Sequence, residues 1–453
     1  MGQVQLEFLG SAGTVTGSKF LLRAEDHSIM IDCGLFQGLK DLRLRNWEGL
    51  GDVAKDIEAV VLTHAHLDHS GYLPRLISEG FKGPIYCTEP TRDLCQILLP
   101  DSGFILEEEA RYAGKKGFSK HSPPLPLYSE AQAQAALNQF QALNFRQSHQ
   151  IGPFQVQLIP AGHILGAASA HIQVHGKSFL FSGDIGRPND PLMKAPELPL
   201  KAHYVVMEST YGDRRHTDQS PEEMLAEVLD YVVAGQGTLL IPSFAVGRAQ
   251  TILHCLHRLF LQRPELKLPI FVNSPMATNV TELYLKHHSH HKLSQAECEE
   301  IFAEVNFVNS VEESQELNKN KSPKVIVSAS GMLTGGRILH HIKAFADNPR
   351  NAILLPGFQA EGTRGAALKN GARELKIHGE YHPIFARIFI CESLSAHADQ
   401  AELIQWLQQV TNGIDEIFLV HGEPGASDGL RAKIAYHLHM DARIPKIGDK
   451  FTL

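Results

Sequence analysis

The sequence predicts an α/β fold with two domains. Along its 453 residues, short runs rich in Val, Ile and Leu alternate with longer amphipathic stretches, which is typical of strands and helices packed in layers. After about residue 210 the order is strand, helix, strand, helix, which favours a parallel sheet with helices on its faces. Near the start, "VQLEFLG" and "SKFLLRA" flank a glycine-rich turn and predict a hairpin. The two parts are therefore expected to differ in architecture.

The predicted strands are short apolar runs. They are too short for typical helices and contain many β-branched residues. The strands are predicted at 28–34, 59–64, 178–184, 203–209, 238–244, 268–274, 324–330, 351–357 and 416–422.

Two predicted helices have clear ends. In "SPEEMLAEVLDYVVAGQG", Ser220 suits the N-cap, Pro221 the first turn and Gly235 the end of the helix. A second helix is predicted over 129–143, after a serine cap. The polar, glycine-rich stretch 358–384 is predicted to carry the chain back from the second domain.

The composition is that of a globular protein. The net charge is −8 and the pI is about 6.3, so no excess of positive charge points to nucleic acid. An anionic substrate is still allowed, because bound cations can invert the local field. The six cysteines form no C-x-x-C pair, which favours a reduced, cytoplasmic protein. We expect no signal peptide and no membrane span, since the N-terminus lacks a basic, apolar leader and no apolar run reaches about 18 residues.

Ligand-type side chains follow the predicted strands. The densest stretch is "VVLTHAHLDHSG", 60–71, in which three histidines and an aspartate fall within six positions. Because loops at the carboxyl ends of strands form a crevice in layered α/β folds, we expect these side chains to converge on one site. The candidates are Asp32, His64, His66, Asp68, His69, His163, Asp184, Glu208, His397 and His421.

These residue types are the ones that bind hydrolytic metals. Zinc takes neutral imidazole nitrogens and carboxylate oxygens. In an extended H-x-H segment, His64 and His66 lie on one side and can share a metal. Asp68 and His69 can then reach a second metal, and Asp184, with two oxygens, is a candidate bridge. Two metals about 3.5–4 Å apart are a recurrent arrangement for phosphodiester hydrolysis.

Several of these candidates also have a structural interpretation. Asp184 can be a turn aspartate that binds its own backbone, and Glu208 can simply end a strand. A lone histidine such as His163 is more often structural than a ligand, and a structural role is a minor alternative for His421. Ser395 can be the N-cap of a helix that begins at "SAHAD", and in that case His397 would lie in its first turn.

The remaining candidates have supporting roles. Asp32 would hold a histidine ring in place without binding metal itself. We interpret the histidine-rich "LKHHSHHK", 285–292, as a solvated helix end. The glycine-rich "SASGMLTGGR", between a strand and a helix, can either present backbone N–H groups to a phosphate or form a tight turn without a ligand. The candidate phosphate contacts are Ser330, Gly331, Arg248 and Arg337.

These residues, in this order, resemble the metallo-β-lactamase fold and its β-CASP branch of nucleases. The segments "IPSFAVGRAQ", "NSPMA" and "SASGML" also resemble the insert of that branch, so the resemblance covers nearly the whole chain. The matching residues are H-x-H-x-D-H at 64–69, Asp32, His163 and Asp184 for the fold, and Glu208, His397 and His421 for the branch.

The resemblance implies a metallo-β-lactamase αββα sandwich with an inserted α/β β-CASP domain. It places the sandwich in 1–208 and 390–453 and the insert in 209–389. It implies RNA as the substrate, because the DNA-directed branch typically has valine where this chain has His421. The chain is similar to the endonuclease subunit of pre-mRNA 3′-end processing and its compact prokaryotic relatives. It is also similar to RNase J, but we expect neither the extra C-terminal domain of that enzyme nor the KH-type domains of archaeal relatives.

The resemblance further implies a mechanism with two zinc ions. Water activated at the two-zinc site would attack phosphorus and leave 5′-phosphate and 3′-hydroxyl ends. His397, oriented by Glu208, would protonate the leaving 3′-oxygen as a general acid. The implied ligands are His64, His66 and His163 for one zinc, Asp68, His69 and His421 for the other, and Asp184 between them.

Other functions stay open from the sequence. A 5′–3′ exoribonuclease, or a hydrolase of DNA or of small thioesters and lactams, can use the same metal site. Some β-CASP relatives are inactive scaffolds, but those typically lose metal ligands. We expect single-stranded RNA as the partner, with a second copy of the chain or a subunit of a processing complex as candidates for further contacts. The acidic net charge leaves the source of RNA affinity open.

Overall fold

The computed structural model describes residues 2–117, 119, 121–217, 219–357, 359–410 and 413–453. The chain divides into two compact units. The first contains Met1–Asn189, Ala195–Arg215 and His397–Leu453, and the second contains Asp190–Lys194 and His216–Ala396.

Strands dominate the first part of unit one. The strands are β1 (Val4–Phe8), β2 (Phe20–Ala24), β3 (His27–Ile31), β4 (Ala59–Val61), β5 (Ile85–Thr88), β6 (Phe140–Leu143), β7 (Ser148–Ile151), β8 (Phe154–Pro160), β9 (Ala168–Val174), β10 (Lys177–Phe181) and β11 (Tyr204–Glu208). The helices are α1 (Lys40–Arg45), α2 (Val53–Asp56), α3 (Leu67–Ser70), α4 (Leu73–Ser78), α5 (Glu89–Lys115) and α6 (Glu130–Ala136).

Strands and helices alternate in unit two, and the chain then returns to unit one. Unit two contains α7 (Pro221–Ala234), β12 (Thr238–Pro242), α8 (Arg248–Gln262), β13 (Ile270–Asn273), α9 (Pro275–Lys286), α10 (Gln295–Ala303), β14 (Val305–Phe307), α11 (Val311–Lys319), β15 (Lys324–Ser328), α12 (Ile338–Phe345), β16 (Ala352–Pro356), α13 (Arg364–Lys369), β17 (Glu374–Ile377), β18 (Glu380–Pro383) and β19 (Arg387–Cys391). The returning segment contains α14 (Gln400–Gln408), β20 (Glu416–Val420), α15 (Pro424–Leu438), β21 (Ala442–Arg443) and β22 (Lys450–Thr452). None of the described helices is both long and apolar enough to cross a lipid bilayer.

Unit one is a sandwich of two seven-stranded sheets. Their strand orders are β22-β1-β2-β3-β4-β5-β6 and β21-β20-β11-β10-β9-β8-β7. Phe179 and Phe181 of β10 lie in the core between the sheets, whereas Leu180 between them packs with residues of α14 and α15 on the outer face. Because successive strand residues point to opposite faces, a sheet covered on both sides needs this continuous apolar sequence.

Parallel pairing brings several strand ends to common edges. In the first sheet β3 is parallel to β4, and in the second sheet β11 is parallel to both β10 and β20. The carboxyl ends of these strands therefore lie together within each sheet. The loops that leave these ends carry the candidate ligands.

Unit two contains a six-stranded parallel sheet in the order β14-β13-β15-β12-β16-β19, as the alternating sequence pattern predicts. The predicted hairpin at the start of the chain is confirmed as the antiparallel pair β1–β2. Helix α7 is confirmed as well. The Ser220 hydroxyl accepts a hydrogen bond from Glu223 N, and the Glu223 carboxylate accepts one from Ser220 N.

The prediction of a helix over 129–143 is wrong for the second half of that range. Helix α6 ends at Ala136, and β6 follows a single helical turn at Leu137–Gln139. Strand β6 pairs in parallel with β5 and buries Phe140 at the edge of the sheet. The alanine- and glutamine-rich sequence has helix propensity, but strand pairing overrides it here.

Two predictions for unit two also need correction. The stretch 358–384, of which Phe358 lies outside the described residues, forms α13 and the β17–β18 hairpin and is more than a connection. The histidine-rich stretch 285–292 is only partly solvated, because His287 and His291 are buried. His291 Nε2 lies 2.9 Å from the carbonyl oxygen of Tyr284 and its Nδ1 accepts a hydrogen bond from Leu293 N, so this ring stabilises the turn after α9.

Candidate metal centre

The loop after β4 presents four ligand-type side chains in unit one. The chain stays extended through His66 and then forms the single turn of α3, which carries Asp68 and His69. Gly34 allows this turn to approach β3, because a Cβ atom at that position would lie 1.6 Å from the carbonyl oxygen of Asp68. Cys33 N donates a hydrogen bond to the carbonyl oxygen of His69, which fixes the turn against the strand end.

Four donor atoms form a first group. His66 Nδ1 lies 3.2 Å from both His64 Nε2 and His163 Nε2. Asp184 Oδ2 lies 3.4 Å from His64 Nε2 and 3.5 Å from His163 Nε2. A tetrahedral zinc with bonds of about 2.0–2.1 Å places its ligand atoms roughly 3.3 Å apart. The four residues thus fit one zinc ion in both chemistry and spacing.

Asp68, His69 and His421 form a second group of possible metal ligands. Asp68 Oδ2 lies 3.3 Å from His421 Nε2, and His69 Nε2 lies 3.2 Å from Asp184 Oδ1. This Oδ1 atom is buried and has no hydrogen-bond partner among the described residues. A buried carboxylate oxygen without a donor is costly unless a cation offsets it. Asp184 therefore directs one oxygen to each group, which fits a carboxylate shared by two metal ions.

Burial keeps the first group of histidines neutral. It lowers the pKa of His64 to about 3 and of His66 to about 4, with neighbouring imidazoles adding to the effect at both residues. Burial also holds the pKa of His163 well below its ordinary value. Because a metal binds the deprotonated imidazole nitrogen, these rings are in the metal-binding form at neutral pH.

Asp32 contacts His69 at Nδ1, the ring nitrogen that faces away from the site. Its Oδ2 atom lies 2.7 Å from His69 Nδ1, and its Oδ1 atom accepts a hydrogen bond from Thr63 N. The carboxylate thus accepts a hydrogen bond from Nδ1–H and leaves Nε2 facing the site, as is usual for metal-binding histidines. The sequence places Asp32 in this supporting position, but it gives no indication of Thr63.

Glu208 and His397 form a pair beside the first group. His397 Nδ1 lies 3.2 Å from Glu208 Oε2, while His397 Nε2 lies 4.0 Å from Asp184 Oδ2. Glu208 is fully buried and also accepts a hydrogen bond from Ile185 N, so its carboxylate is fixed. Burial lowers the pKa of His397, but the carboxylates of Glu208 and Asp184 outweigh it and raise that pKa above its ordinary value.

The helix that follows His397 begins later than it would if Ser395 were its N-cap. Asp399, and not Ser395, is the N-cap of α14, and its side chain accepts hydrogen bonds from Ala401 N and Glu402 N. His397 therefore lies in the loop before the helix, where it forms an isolated backbone bridge with Gly186.

Two supporting residues are not evident from the sequence. Thr210 Oγ1 lies 3.0 Å from His421 Nδ1 and orients that ring. A Cβ atom on Gly186 would lie 2.1 Å from the carbonyl oxygen of Gly162, next to His163, so only glycine allows this approach. The sequence indicates them only weakly, through the second glycine of "SGDIG" and a threonine two residues after Glu208.

The predicted phosphate contacts lie in unit two, outside the metal-ligand groups. Ser330 Oγ accepts a hydrogen bond from Thr334 N, and the carbonyl oxygen of Gly331 accepts one from the Gln359 amide. Arg248 is the first residue of α8 and is largely buried. The Arg337 guanidinium donates to Asn273 Oδ1 and to the carbonyl oxygens of residues 308 and 309, so its contacts are those of a structural arginine.

Three protein-family models match the chain. The model of the metallo-beta-lactamase superfamily matches residues 12–229, and the model of the Beta-Casp domain matches residues 249–368. A model described as a Zn-dependent metallo-hydrolase RNA specificity domain matches residues 381–445. Together these matches follow the chain from the first sheet to α15.

Comparison with known proteins gives the same family. The chain is 36% identical to "Ribonuclease TTHA0252" of Thermus thermophilus over 91% of this chain and 92% of that protein. It is 30% identical to "Transcription termination factor FttA" of Methanocaldococcus jannaschii over 93% of this chain and 67% of that protein. A crystal structure of a protein of unknown function from Enterococcus faecalis shares the fold over the full length of both chains, with a TM-score of 0.55 and 13% identity. The chain belongs to the β-CASP family of the metallo-β-lactamase superfamily, a family of metal-dependent hydrolases.

Proposed function

We propose that this chain is a two-zinc ribonuclease that cuts phosphodiester bonds within single-stranded RNA. The observation that carries the proposal is the complete set of donor atoms next to the Glu208–His397 pair. The matched RNA specificity domain, residues 381–445, includes both His397 and His421. The name of the Thermus relative, a ribonuclease, supports the same substrate class.

In this proposal the two groups of donor atoms hold one zinc each. Asp184 contributes one oxygen to each group, and Asp32 keeps His69 turned toward its metal. Two bound zinc ions would supply positive charge for the phosphoryl oxygens and a water of lowered pKa. The proposed ligands are His64, His66, His163 and Asp184 for the first ion, and Asp68, His69, His421 and Asp184 for the second.

His397 is the proposed general acid. Glu208 accepts a hydrogen bond from the Nδ1–H of its ring, and, against the effect of burial, the two nearby carboxylates raise the pKa of His397 and so favour the imidazolium form, in which Nε2 also carries a proton and faces the site. When a water that has lost a proton to solvent bonds through its oxygen to phosphorus, the bond from phosphorus to the 3′-oxygen breaks and His397 Nε2 gives its proton to that oxygen. The products have a 5′-phosphate and a 3′-hydroxyl.

We also propose where the protein works and how it is divided. The six cysteines are free and buried, which supports a reducing, cytoplasmic location. The proposed limits of the catalytic domain are 1–208 and 390–453, around an insert at 209–389. A second copy of the chain or a processing subunit would add RNA-binding surface to this acidic protein.

The test begins with protein stripped of metal and reloaded with zinc. Metal analysis should give two zinc ions per chain, and only the reloaded protein should cut linear single-stranded RNA into products with 5′-phosphates. The same protein is tested on three alternative substrates at the same concentration as the RNA: single-stranded DNA, a thioester and a β-lactam. Faster hydrolysis of any of these than of RNA would contradict the proposal and favour the corresponding alternative.

A further inference from the structure

A groove in unit one lies beside the loop of His421. Its volume is about 540 Å³, and its walls include Ala12, Gly13 and Pro424. His421 N donates a hydrogen bond to the carbonyl oxygen of Ser11, the residue before Ala12. Pro424 begins α15, three positions after His421. The loops that position a candidate metal ligand thus continue directly into the walls of the groove.

Two cations line this groove without a carboxylate partner. Arg45 and Lys446 are exposed, and neither side chain has an ion pair or hydrogen bond with another described residue. Two other cations near the end of the chain differ, because Arg443 pairs with Glu416 and Lys450 with Glu7. The two groove cations are therefore available to an anion from solution.

The acid in the groove is already paired. Asp428 lines the groove, but its Oδ1 atom lies 2.7 Å from Arg431 Nη2. The groove consequently has a net positive lining in a chain whose formal charge is −8. The rest of its lining is largely apolar, with Ile444, Pro445 and Ile447 beside Pro424.

This combination suits a nucleic acid strand better than a small anion. Positive side chains bind successive phosphates, and apolar surface accommodates ribose and base faces. A single phosphate would use the charges but not the apolar walls. The volume of the groove lies in the range of pockets that hold one drug-sized ligand, so it has room for more than a phosphate group.

We propose that this groove is an RNA subsite in which Arg45 and Lys446 bind backbone phosphates of the strand flanking the bond that is cut. The proposal rests on the ribonuclease function proposed above. It gives that function a source of affinity within the catalytic unit, despite the acidic net charge. The strand would pass along the wall made by Gly13 and Pro424 and reach the metal centre at His421.

The test compares the pair of substitutions Arg45→Ala and Lys446→Ala with a control that removes the same charge. The control carries Lys82→Ala and Lys201→Ala, two exposed lysines at the amino ends of β5 and β11 and outside the groove. Affinity for a fluorescent 20-nucleotide single-stranded RNA is measured on zinc-loaded protein that also carries His397→Ala, so that the RNA stays intact. We expect the groove variant to bind about tenfold more weakly and the control to bind as before.

The salt dependence gives a second readout. For single strands each lost phosphate contact should lower the slope of log affinity against log salt by about 0.7, so the groove variant should lose roughly 1.4. With His397 in place, both variants should hydrolyse bis(p-nitrophenyl) phosphate at the wild-type rate, because this small diester fills only the metal centre. The pair Arg45→Gln and Lys446→Gln should repeat the binding loss with less change in side-chain size.

The outcomes separate this inference from the proposed function. If the parent protein binds and cuts RNA but the groove variant keeps its affinity and salt slope, the groove is not an RNA subsite. A groove variant that also loses hydrolysis of the small diester overturns the inference, since its defect then lies in the metal centre. If the parent hydrolyses the small diester but neither binds nor cuts RNA, the ribonuclease function fails and the subsite fails with it.

Discussion

Two carboxylates in this site act in the same way on two histidines. Asp32 accepts the Nδ1–H of His69 and Glu208 accepts that of His397, so both rings direct Nε2 inward. The two rings differ in what Nε2 faces. His69 Nε2 lies 3.2 Å from Asp184 Oδ1, whereas His397 Nε2 stays 4.0 Å from the nearest oxygen of Asp184. This difference supports the proposal that His69 binds metal and that His397 acts on the substrate.

His397→Ala should separate these two roles. We expect the variant to keep the zinc content and melting temperature of the wild type, because no proposed ligand is removed. RNA cleavage should fall by about 10²–10⁴-fold, the usual contribution of a general acid. Zinc analysis, thermal unfolding and initial rates on linear RNA check these outcomes. Asp184→Ala is the comparison, since it should lose zinc and cleavage together. Wild-type rates in the His397 variant would remove its role as an acid.

At the residue scale, the sequence identifies side chains by type but not their contacts. Each predicted ligand follows a strand, and the structure brings the donor atoms of those residues together. Thr63 and Thr210 do not stand out in the sequence, because threonine is common. Their hydrogen bonds, to Asp32 and with His421, depend on the folded geometry. The metal-binding and catalytic roles themselves stay predictions.

At the scale of elements, the centre depends on one short helix. Helix α3 has only four residues and would be unstable alone. It is held because Ser18 N and Cys33 N donate to the carbonyl oxygens of Asp68 and His69. This close packing requires Gly34, since any Cβ atom there would overlap the carbonyl group of Asp68.

Gly34→Ala should therefore damage the centre from outside its ligand set. We expect the displaced turn to carry Asp68 and His69 out of place, with loss of at least one zinc and of RNA cleavage. Gly425→Ala is a matched control, because a Cβ atom there meets nothing within 4 Å. Zinc content by mass spectrometry and cleavage rates should differ between the two variants. Equal zinc content in both would show that the turn tolerates the methyl group.

The sequence predicted long, well-capped elements more reliably than short ones. Helix α7 has its serine cap, proline and apolar face in the sequence, and these local signals agree with its packing. The prediction of a helix over 129–143 failed because residues 140–143 pair with the edge of β5, although their local sequence favours a helix. Pairing of that kind depends on residues distant in sequence, which periodicity does not report.

At the scale of the whole molecule, unit one is assembled from segments that the second unit separates in sequence. Strands β11 and β20 pair in parallel with Glu208 opposite Val420, which puts His421 one residue beyond that pair. Spacing along the chain could not show this register. The resemblance to a known family implied only that Glu208 and His421 belong to one site.

The stability of unit two should fall in acid. His341 is buried, its Nδ1 lies 2.6 Å from Asn318 Oδ1, and its Nε2 accepts from the Asn273 amide. Burial lowers its pKa from 6.5 to about 3, and the nearby positive groups His340, Arg337 and Lys324 add to the effect. Between pH 6.5 and 3 the unfolded chain binds a proton that the folded chain does not, so lower pH favours unfolding.

His341→Gln removes this titration. Each pH unit below about 6.5 should cost the wild type roughly 1.4 kcal/mol that the variant does not lose. The difference in unfolding free energy between wild type and variant should therefore shrink from pH 6.5 to pH 4.5. Denaturant unfolding followed by hydrogen exchange in β13 and α12 measures it within unit two. A difference that stays constant over this pH range would contradict the account.

The most direct test of the proposed function uses an internally labelled circular RNA, which offers no ends. Zinc-loaded wild-type protein should open the circle and leave 5′-phosphates, while His397→Ala with the same zinc content should leave it closed. A circle that stays closed while linear RNA is degraded would contradict internal cleavage and make the protein an exonuclease. Opening of the circle by both proteins at the same rate would contradict the role assigned to His397.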